Sequence, residues 1–136
     1  MEAKPFKLGY VGVGLMGLPM VQRLLKLGWP VRAYDIVAER VAQSGARECA
    51  SAAEAAREAD IVLLNLPTNQ AVEEAVFAKN GLVEALRAPQ LVVDFSTIPV
   101  EACRSHAARL EKMTGCHWVD TPVSGGPPAS AASTPS

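Results

Sequence analysis

The amino-acid sequence predicts a doubly wound α/β fold built on a mainly parallel sheet. Three observations carry that reading. Short apolar runs alternate with helical patterns along the chain, which is the rhythm of βαβ units. One of those runs, "DIVLLNLP", is almost continuously hydrophobic, as a strand covered on both faces must be. Near the start, "YVGVGLMGL" passes from an apolar run through three glycines into a helical pattern.

The elements follow in order. Lys7 to Val13 form a first strand. The segment "LPMVQRLLKLG" then carries Met20, Val21, Leu24, Leu25 and Leu27 as a helical stripe that Gly28 ends. Pro19 falls in the first turn of that helix, where its missing N–H is harmless. Val31 to Asp35 make a second strand, followed by a helix over Val37 to Gln43 and a short strand near Ala46 to Glu48. Ser51 to Ala59 make an alanine-rich helix with a solvated outer face, turning Ala52, Ala55, Ala56 and Ala59 to the sheet. The fourth strand is Asp60 to Pro67; helical segments at Gln70 to Ala78 and Leu82 to Leu86 lead to a fifth, Gln90 to Ser96. Pro99 starts a helix reaching Lys112, and "HWVDTPV" is a sixth strand. The nucleotide-binding unit is expected over residues 1–126, and "PPASAASTPS", residues 127–136, is expected to be a disordered tail.

Composition narrows the function classes. The chain has 136 residues, 49% hydrophobic and 20% charged. That suits one domain burying about two thirds of its unfolded surface. Thirteen Lys and Arg against fourteen Asp and Glu leave a net charge of −1, and without a basic run a nucleic-acid partner is not expected. Cys49, Cys103 and Cys116 form no C-x-x-C pair and read as reduced thiols of a cytoplasmic protein. The fourteen uncharged residues from Leu8 to Val21 are too short to span a bilayer and lack a small-x-small cleavage site, so neither a membrane anchor nor a secretory signal is expected.

The glycines raise the question of what approaches the backbone so closely. At a strand-to-helix passage, Gly12 permits a tight turn, Gly14 admits a pyrophosphate where a Cβ would stand, and Gly17 lets the helix lie close on the sheet. Free N–H groups at the helix start favour an anion there. A glycine-rich turn can also serve packing alone. Asp35, twenty-three residues after Gly12, stands where a carboxylate takes both hydroxyls of an adenosine ribose. It would repel a 2′-phosphate, and Ile36 and Val37 follow instead of an arginine, so NAD is favoured over NADP. The plainer reading of Asp35 is a solvated strand end or a cap for the next helix.

These residues resemble the β-hydroxyacid dehydrogenase family, which includes 3-hydroxyisobutyrate dehydrogenase, tartronate semialdehyde reductase and the 6-phosphogluconate dehydrogenase-like proteins. The resemblance covers almost the whole chain. It rests on "GYVGVGLMGLPMVQRLLKLGWPVRAYD", "ADIVLLNLP", "VVDFSTIPV" and "VDTPVSGGP", four motifs in the family's order. It implies a Rossmann-type domain binding NAD, a small 3-hydroxy acid as substrate, hydride transfer between CH–OH and C=O, and a homo-oligomer. Carried over by position, Leu15 and Met16 line the cofactor turn, and Leu66 and Pro67 pass the ribose and nicotinamide side. Ala71 replaces a polar contact by a backbone or van der Waals one. Thr97 touches the nicotinamide, and Ser124, Gly125 and Gly126 receive the substrate carboxylate. Ser96, Thr97 and Ser124 lie at strand C-termini, where ligands gather in open parallel sheets. Each could equally be a turn residue or a helix cap.

The departures matter too. The family continues past "SGG" into further strands and an all-helical domain that supplies a lysine as general acid or base. Lys4, Lys7, Lys26, Lys79 and Lys112 do not match that motif. The resemblance therefore implies a chain truncated before the helical domain, with no catalytic residue of its own. The other reading is a non-catalytic dinucleotide-binding module or fragment that self-associates through an exposed sheet edge and uncovered apolar surface. An S-adenosylmethionine methyltransferase shares the glycine turn and the acid but not "DFSTIP" or "VSGG". Cys103, His106, Cys116 and His117 have a superficially zinc-like pattern. Helix and strand geometry scatter them, so no metal is expected, and Cys103 has no base partner to make it a nucleophile. Trp29 and Trp118 read as structural.

Overall fold

A computed structural model describes residues 6–121 of the chain. Six parallel strands form one sheet, and helices cover its faces. The strands are β1 (Leu8–Val11), β2 (Val31–Tyr34), β3 (Arg47–Glu48), β4 (Ile61–Leu64), β5 (Leu91–Asp94) and β6 (His117–Asp120). Their spatial order is β3-β2-β1-β4-β5-β6, with β1 at the centre. The order reverses beside β1: the chain winds outward through β2 and β3, then returns to β4 on the other side. Ligand-binding clefts open at such a reversal, outside the strand C-termini.

Five α-helices connect the strands: α1 (Gly17–Lys26), α2 (Ala38–Ser44), α3 (Ala52–Arg57), α4 (Asn69–Phe77) and α5 (Val100–Thr114). Strand periodicity divides the core in two. Val11, Val62, Leu64 and Val92 point to the face that α3, α4 and α5 cover, where Ala55, Val72, Val76 and Leu110 are buried. Their strand neighbours Leu8, Tyr10 and Leu63 point to the face that α1 and α2 cover, with Val21 and Val41. Both faces of the central strands are thus apolar, which explains the unbroken hydrophobic run read in the sequence.

Several expectations shift by up to three residues. The ladder of β4 stops at Leu64 rather than Pro67, because beyond it the Leu66 N–H takes the Ser96 hydroxyl at 2.8 Å instead of a strand carbonyl. The segment at Leu82 is one 3-10 turn, Leu82–Glu84, not a helix to Leu86. Pro99 precedes α5, which runs on to Thr114 before Gly115 ends it. No side chain caps α5, so the "STIP" signature is not used as a cap. The side-chain caps of α3 and α4 are Ser51, on the Glu54 N–H at 3.1 Å, and Thr68, on the Ala71 N–H at 3.0 Å.

Helix α3 is covered more fully than its sequence pattern predicts. Ala52, Ala55, Ala56 and Ala59 are buried as expected and Arg57 and Glu58 are exposed, but Ala53 is buried as well, so the solvated face is narrower than expected. The turn at Leu82 packs beside it, and the Ala53 N–H donates to the Asn80 carbonyl at 3.0 Å. Small side chains here serve close packing on two sides. Trp29 stacks on Phe6 at 6.3 Å and Trp118 lies 5.9 Å from the His106 ring, so both pack against protein. No helix of the described residues is long and apolar enough to cross a membrane.

Candidate dinucleotide site

The turn between β1 and α1 opens at the C-terminal edge of the sheet, and its three glycines are required for three different reasons. Gly12 has φ +104°, a conformation other residues rarely adopt, and a Cβ there would collide with the Asn65 carbonyl at the end of β4. A Cβ on Gly17 would strike the Gly12 carbonyl and come within 3.2 Å of the Tyr10 ring. Both positions therefore serve close packing, and the tight turn expected at Gly12 is also a close approach of β4. Gly14 is different: a Cβ there would meet nothing nearer than the Arg40 Nη1 at 4.0 Å. The space above Gly14 is open, as the pyrophosphate reading requires.

That space has the electrostatics of an anion site. No acidic residue lies in the first turn of α1, and no side chain caps its N-terminus. The positive end of the helix dipole is left uncompensated. Leu15 and Met16 project from the turn with exposures of 94% and 58%, and Ile36, one residue past Asp35, is 86% exposed. Large apolar side chains this open at one edge of a sheet suit contact with a ligand's flat apolar groups.

Asp35 lies just past β2, beside the turn, and is more constrained than a free ribose acceptor. Its Oδ2 accepts the Val13 N–H at 2.7 Å and its Oδ1 accepts the Val37 N–H at 2.8 Å. The side chain is only 6% exposed. Asp35 is thus both the clamp that fixes the glycine turn and the cap-like residue of the plainer reading. A carboxylate offers about four lone-pair sites, so two ribose hydroxyls can share it with these amides.

One residue was missed by sequence reasoning. Ile36 and Val37 follow Asp35 directly, but the chain turns into α2 and Arg40, in its first turn, folds back. Arg40 Nη1 lies 3.6 Å from Asp35 Oδ1, with its side chain 51% exposed. The signal was in the sequence: six residues beyond a strand end is where the first turn of a following helix returns toward that end.

The second half of the candidate site gathers at the ends of β4 and β5. Leu66 is half-buried against the glycine turn, its Cδ2 being 2.9 Å from a Cβ built at Gly12, and Pro67 is exposed. Ala71 sits in the first turn of α4, half-buried, with its amide satisfied by Thr68. Thr97 is exposed past the end of β5. Ser96 is buried with its hydroxyl committed to Leu66, so it links the two strand ends and is not free for a ligand. Gly12, Gly14, Leu15, Met16, Gly17, Asp35, Leu66, Pro67, Ala71 and Thr97 therefore share one edge of the sheet. Ser124, Gly125 and Gly126 lie outside the described residues.

The four-residue zinc pattern does not assemble. Cys103 instead approaches Asp94 and Asp120, one ligand atom of each lying within 4.8 Å of the others. The chemistry opposes a metal there. Burial pushes the Cys103 thiol up to about 11, so it keeps its proton at neutral pH. Burial also raises the Asp94 carboxyl, which the Ser96 groups only partly offset. The same thiol is a poor nucleophile. His106 is buried and its Nε2 lies 2.7 Å from Asn69 Oδ1, a tie between α5 and α4.

Comparison with known proteins agrees with this geometry. Residues 7–135 match the family described as the NAD binding domain of 6-phosphogluconate dehydrogenase. Mitochondrial 3-hydroxyisobutyrate dehydrogenase of Mus musculus is 35% identical over 121 residues, covering 87% of this chain and 36% of the mouse protein. NAD-dependent L-serine dehydrogenase of Pseudomonas aeruginosa is 37% identical over 132 residues, covering 94% of this chain and 44% of that protein. The solved structure of Mycobacterium tuberculosis 3-hydroxyisobutyrate dehydrogenase with L-serine superposes with a TM-score of 0.80 at 35% identity, over 90% of this chain and 42% of the other. The chain thus spans less than half the length of each of these relatives.

Proposed function

The chain belongs to the family of the NAD binding domain of 6-phosphogluconate dehydrogenase, and from that membership we propose that it holds NAD for hydride transfer between the cofactor and a small 3-hydroxy acid. The observation that carries this reading is the open space over Gly14 beside the clamped carboxylate of Asp35. Gly12 and Gly17 shape the turn, and Gly14, Leu15 and Met16 receive the diphosphate through backbone N–H groups. Asp35 takes the adenosine ribose. Leu66, Pro67, Ala71 and Thr97 line the way to the nicotinamide, and Ser124, Gly125 and Gly126 take the substrate carboxylate. NAD held by these residues would supply the acceptor for a hydride from a carbinol carbon, with the hydroxyl proton passing to a base. Ser96 acts through Leu66, holding the β4 and β5 ends together so that the cofactor's route stays fixed.

The base is not offered by the described lysines. Helices in this fold run back against the strands, so Lys26 at the end of α1, Lys79 just after α4 and Lys112 late in α5 lie toward the N-terminal edge of the sheet, as does Lys7 ahead of β1. The cofactor edge is the opposite one. On this reading a lysine beyond the nucleotide domain completes catalysis, and the 136 residues alone bind cofactor without turnover. Three free buried cysteines support a cytoplasmic location. The outer strand β6, with Val119 exposed, supports a homo-oligomer.

Fluorescence titration of the chain with NADH, NADPH and S-adenosylmethionine, alongside an assay of 3-hydroxy acid oxidation, tests the proposal. Saturable NADH binding with oxidation at background is expected. Binding of S-adenosylmethionine instead of NADH would sink the cofactor assignment, and turnover would sink the need for a further lysine.

A further inference from the structure

A cavity opens at the N-terminal edge of the sheet, opposite the glycine turn. Its volume is about 440 Å³, within the range that takes a small ligand. Leu8 at the start of β1, Val31 at the start of β2 and Ala59 after α3 give it a buried apolar lining. Its charged lining is one-sided: Lys7, Arg32 and Arg47 stand against Glu58 alone. The chain as a whole carries a net charge of −1, so this is a local concentration of positive charge.

The two arginines are placed against their own electrostatics. Arg32 and Arg47 are Cα partners on the parallel neighbours β2 and β3, so their side chains leave the same face of the sheet side by side. Like charges in that position repel and weaken a sheet. Little on the protein relieves them. Arg32 Nη2 lies 3.9 Å from Glu58 Oε1, beyond hydrogen-bond reach, and the Glu58 side chain is 62% exposed. Among the described residues neither Arg47 nor Lys7 forms an ion pair. Asp60, next in the chain to Ala59, commits its Oδ2 to the Lys7 backbone N–H at 2.8 Å.

We propose that this cavity binds a small organic anion, a carboxylate or phosphate head on a short apolar body, at a site separate from the dinucleotide cleft. The head lies between Arg32 and Arg47, whose guanidinium forks suit carboxylate and phosphate oxygens alike, and Lys7 adds charge. The apolar body enters against Leu8, Val31 and Ala59. An anion there turns a repulsion between neighbours into two attractions. β1 and β2 begin at this cavity and end beside the glycine turn, so the two sites lie a strand length apart and can be filled together. The inference does not depend on what the glycine turn binds.

Nitrogen–proton correlation NMR spectra of the full chain, titrated with hexanoate, hexyl phosphate and hexylammonium, test it. Hexanoate or hexyl phosphate is expected to shift the amides of Leu8, Val31, Arg32, Arg47 and Ala59 saturably while those of Gly12 to Gly17 stay still, and the tighter of the two identifies the head group. Hexylammonium should shift none of them. Lengthening butanoate to hexanoate should tighten binding by about threefold per methylene as apolar surface is buried. Arg47→Glu should weaken the anion at least about tenfold, with Arg47→Lys between, since a charge-assisted bond is lost. The Glu variant should nonetheless melt no lower than wild type, because it sets an opposite charge beside Arg32. NADH added to the anion complex should not displace the anion. Cavity amides that do not shift, equal binding of hexylammonium, or an affinity unchanged in Arg47→Glu would overturn the proposal. So would acetate or inorganic phosphate binding as tightly as the hexyl ligands, which leaves surface charge alone, and so would displacement by NADH or shifts confined to Gly12 to Gly17, which assign the anion to the glycine turn.

Discussion

A methyl group added at Gly14 and one added at Gly17 meet opposite surroundings three residues apart, and the contrast separates binding from packing. At Gly17 the methyl strikes the Gly12 carbonyl and crowds the fully buried Tyr10 ring, so α1 must lift off β1. Overpacking of this kind costs about 1–3 kcal/mol. At Gly14 the methyl points into open space, and no positive φ forbids it. Losing a glycine from the unfolded chain can even stabilise the fold by about 0.4–1 kcal/mol. Gly14→Ala is therefore expected to melt at or slightly above the wild-type temperature yet bind NADH at least about tenfold more weakly, as the methyl occupies the diphosphate's place. Gly17→Ala should melt lower. Thermal melts with NADH titration check both, and unimpaired NADH binding by Gly14→Ala would remove the diphosphate from this turn. The triplet spacing was legible in the sequence because each glycine answers a backbone demand. Arg40 was not, since its relevance comes from how α2 leaves β2 rather than from its neighbours in the chain.

At the scale of elements, strand ends decide how the site is built, and Asp94 shows their cost. It closes β5 fully buried, its Oδ1 accepting the Ser96 N–H at 2.8 Å. Burial raises its carboxyl above the usual range, and nearby Asp120 adds to the rise, while the Ser96 amide and hydroxyl and His106 pull it back. The native state then holds this proton at pH values where the unfolded chain has released it. The stability it contributes is complete below the ordinary aspartate value of about 3.9 and is lost as pH rises through the raised native one. Asp94→Asn keeps an acceptor for Ser96 and has no proton to lose. Urea unfolding should show the variant gaining on wild type between pH 4 and pH 7, and a difference that does not move with pH would contradict the buried-acid account. Such ends were the least legible part of the fold. The apolar pattern of "DIVLLNLP" and "QLVVDFS" continues past the ladders at Leu64 and Asp94, so hydrophobicity alone runs both strands on too far. Ser96 looked like a cap or a ligand because its side chain's partner, Leu66, lies thirty residues away in sequence. The alternation of strands and helices, by contrast, was fully readable, since it is written in local periodicity. The second covering of α3 was not, because only tertiary contact with the Leu82 turn creates it.

The whole molecule is covered unevenly, and the unevenness gives the last prediction. One sheet face carries α3, α4 and α5, whereas on the other α1 and α2 pack over β1 and β2. Toward β5 that second face keeps Val93 and Phe95 only partly buried, and Val119, in register with Val93 on β6, is 42% exposed. The two sheet edges differ as well. β3 is two residues long and charged, Arg47 and Glu48, which discourages pairing, while among the described residues no strand pairs with the outer side of β6. Among the described residues, an apolar face running to an unpaired edge gives a second copy of the chain both backbone groups to pair with and surface to bury. Concentration-dependent association is therefore expected in sedimentation velocity. Val119→Lys places a charge at the centre of that patch and should shift the chain toward monomer without lowering NADH affinity, because β6 is four strands from β2 and well away from the glycine turn. Association that survives Val119→Lys unchanged would assign it to another surface, and a wild-type chain monomeric at every concentration would show that this face is not an interface between copies.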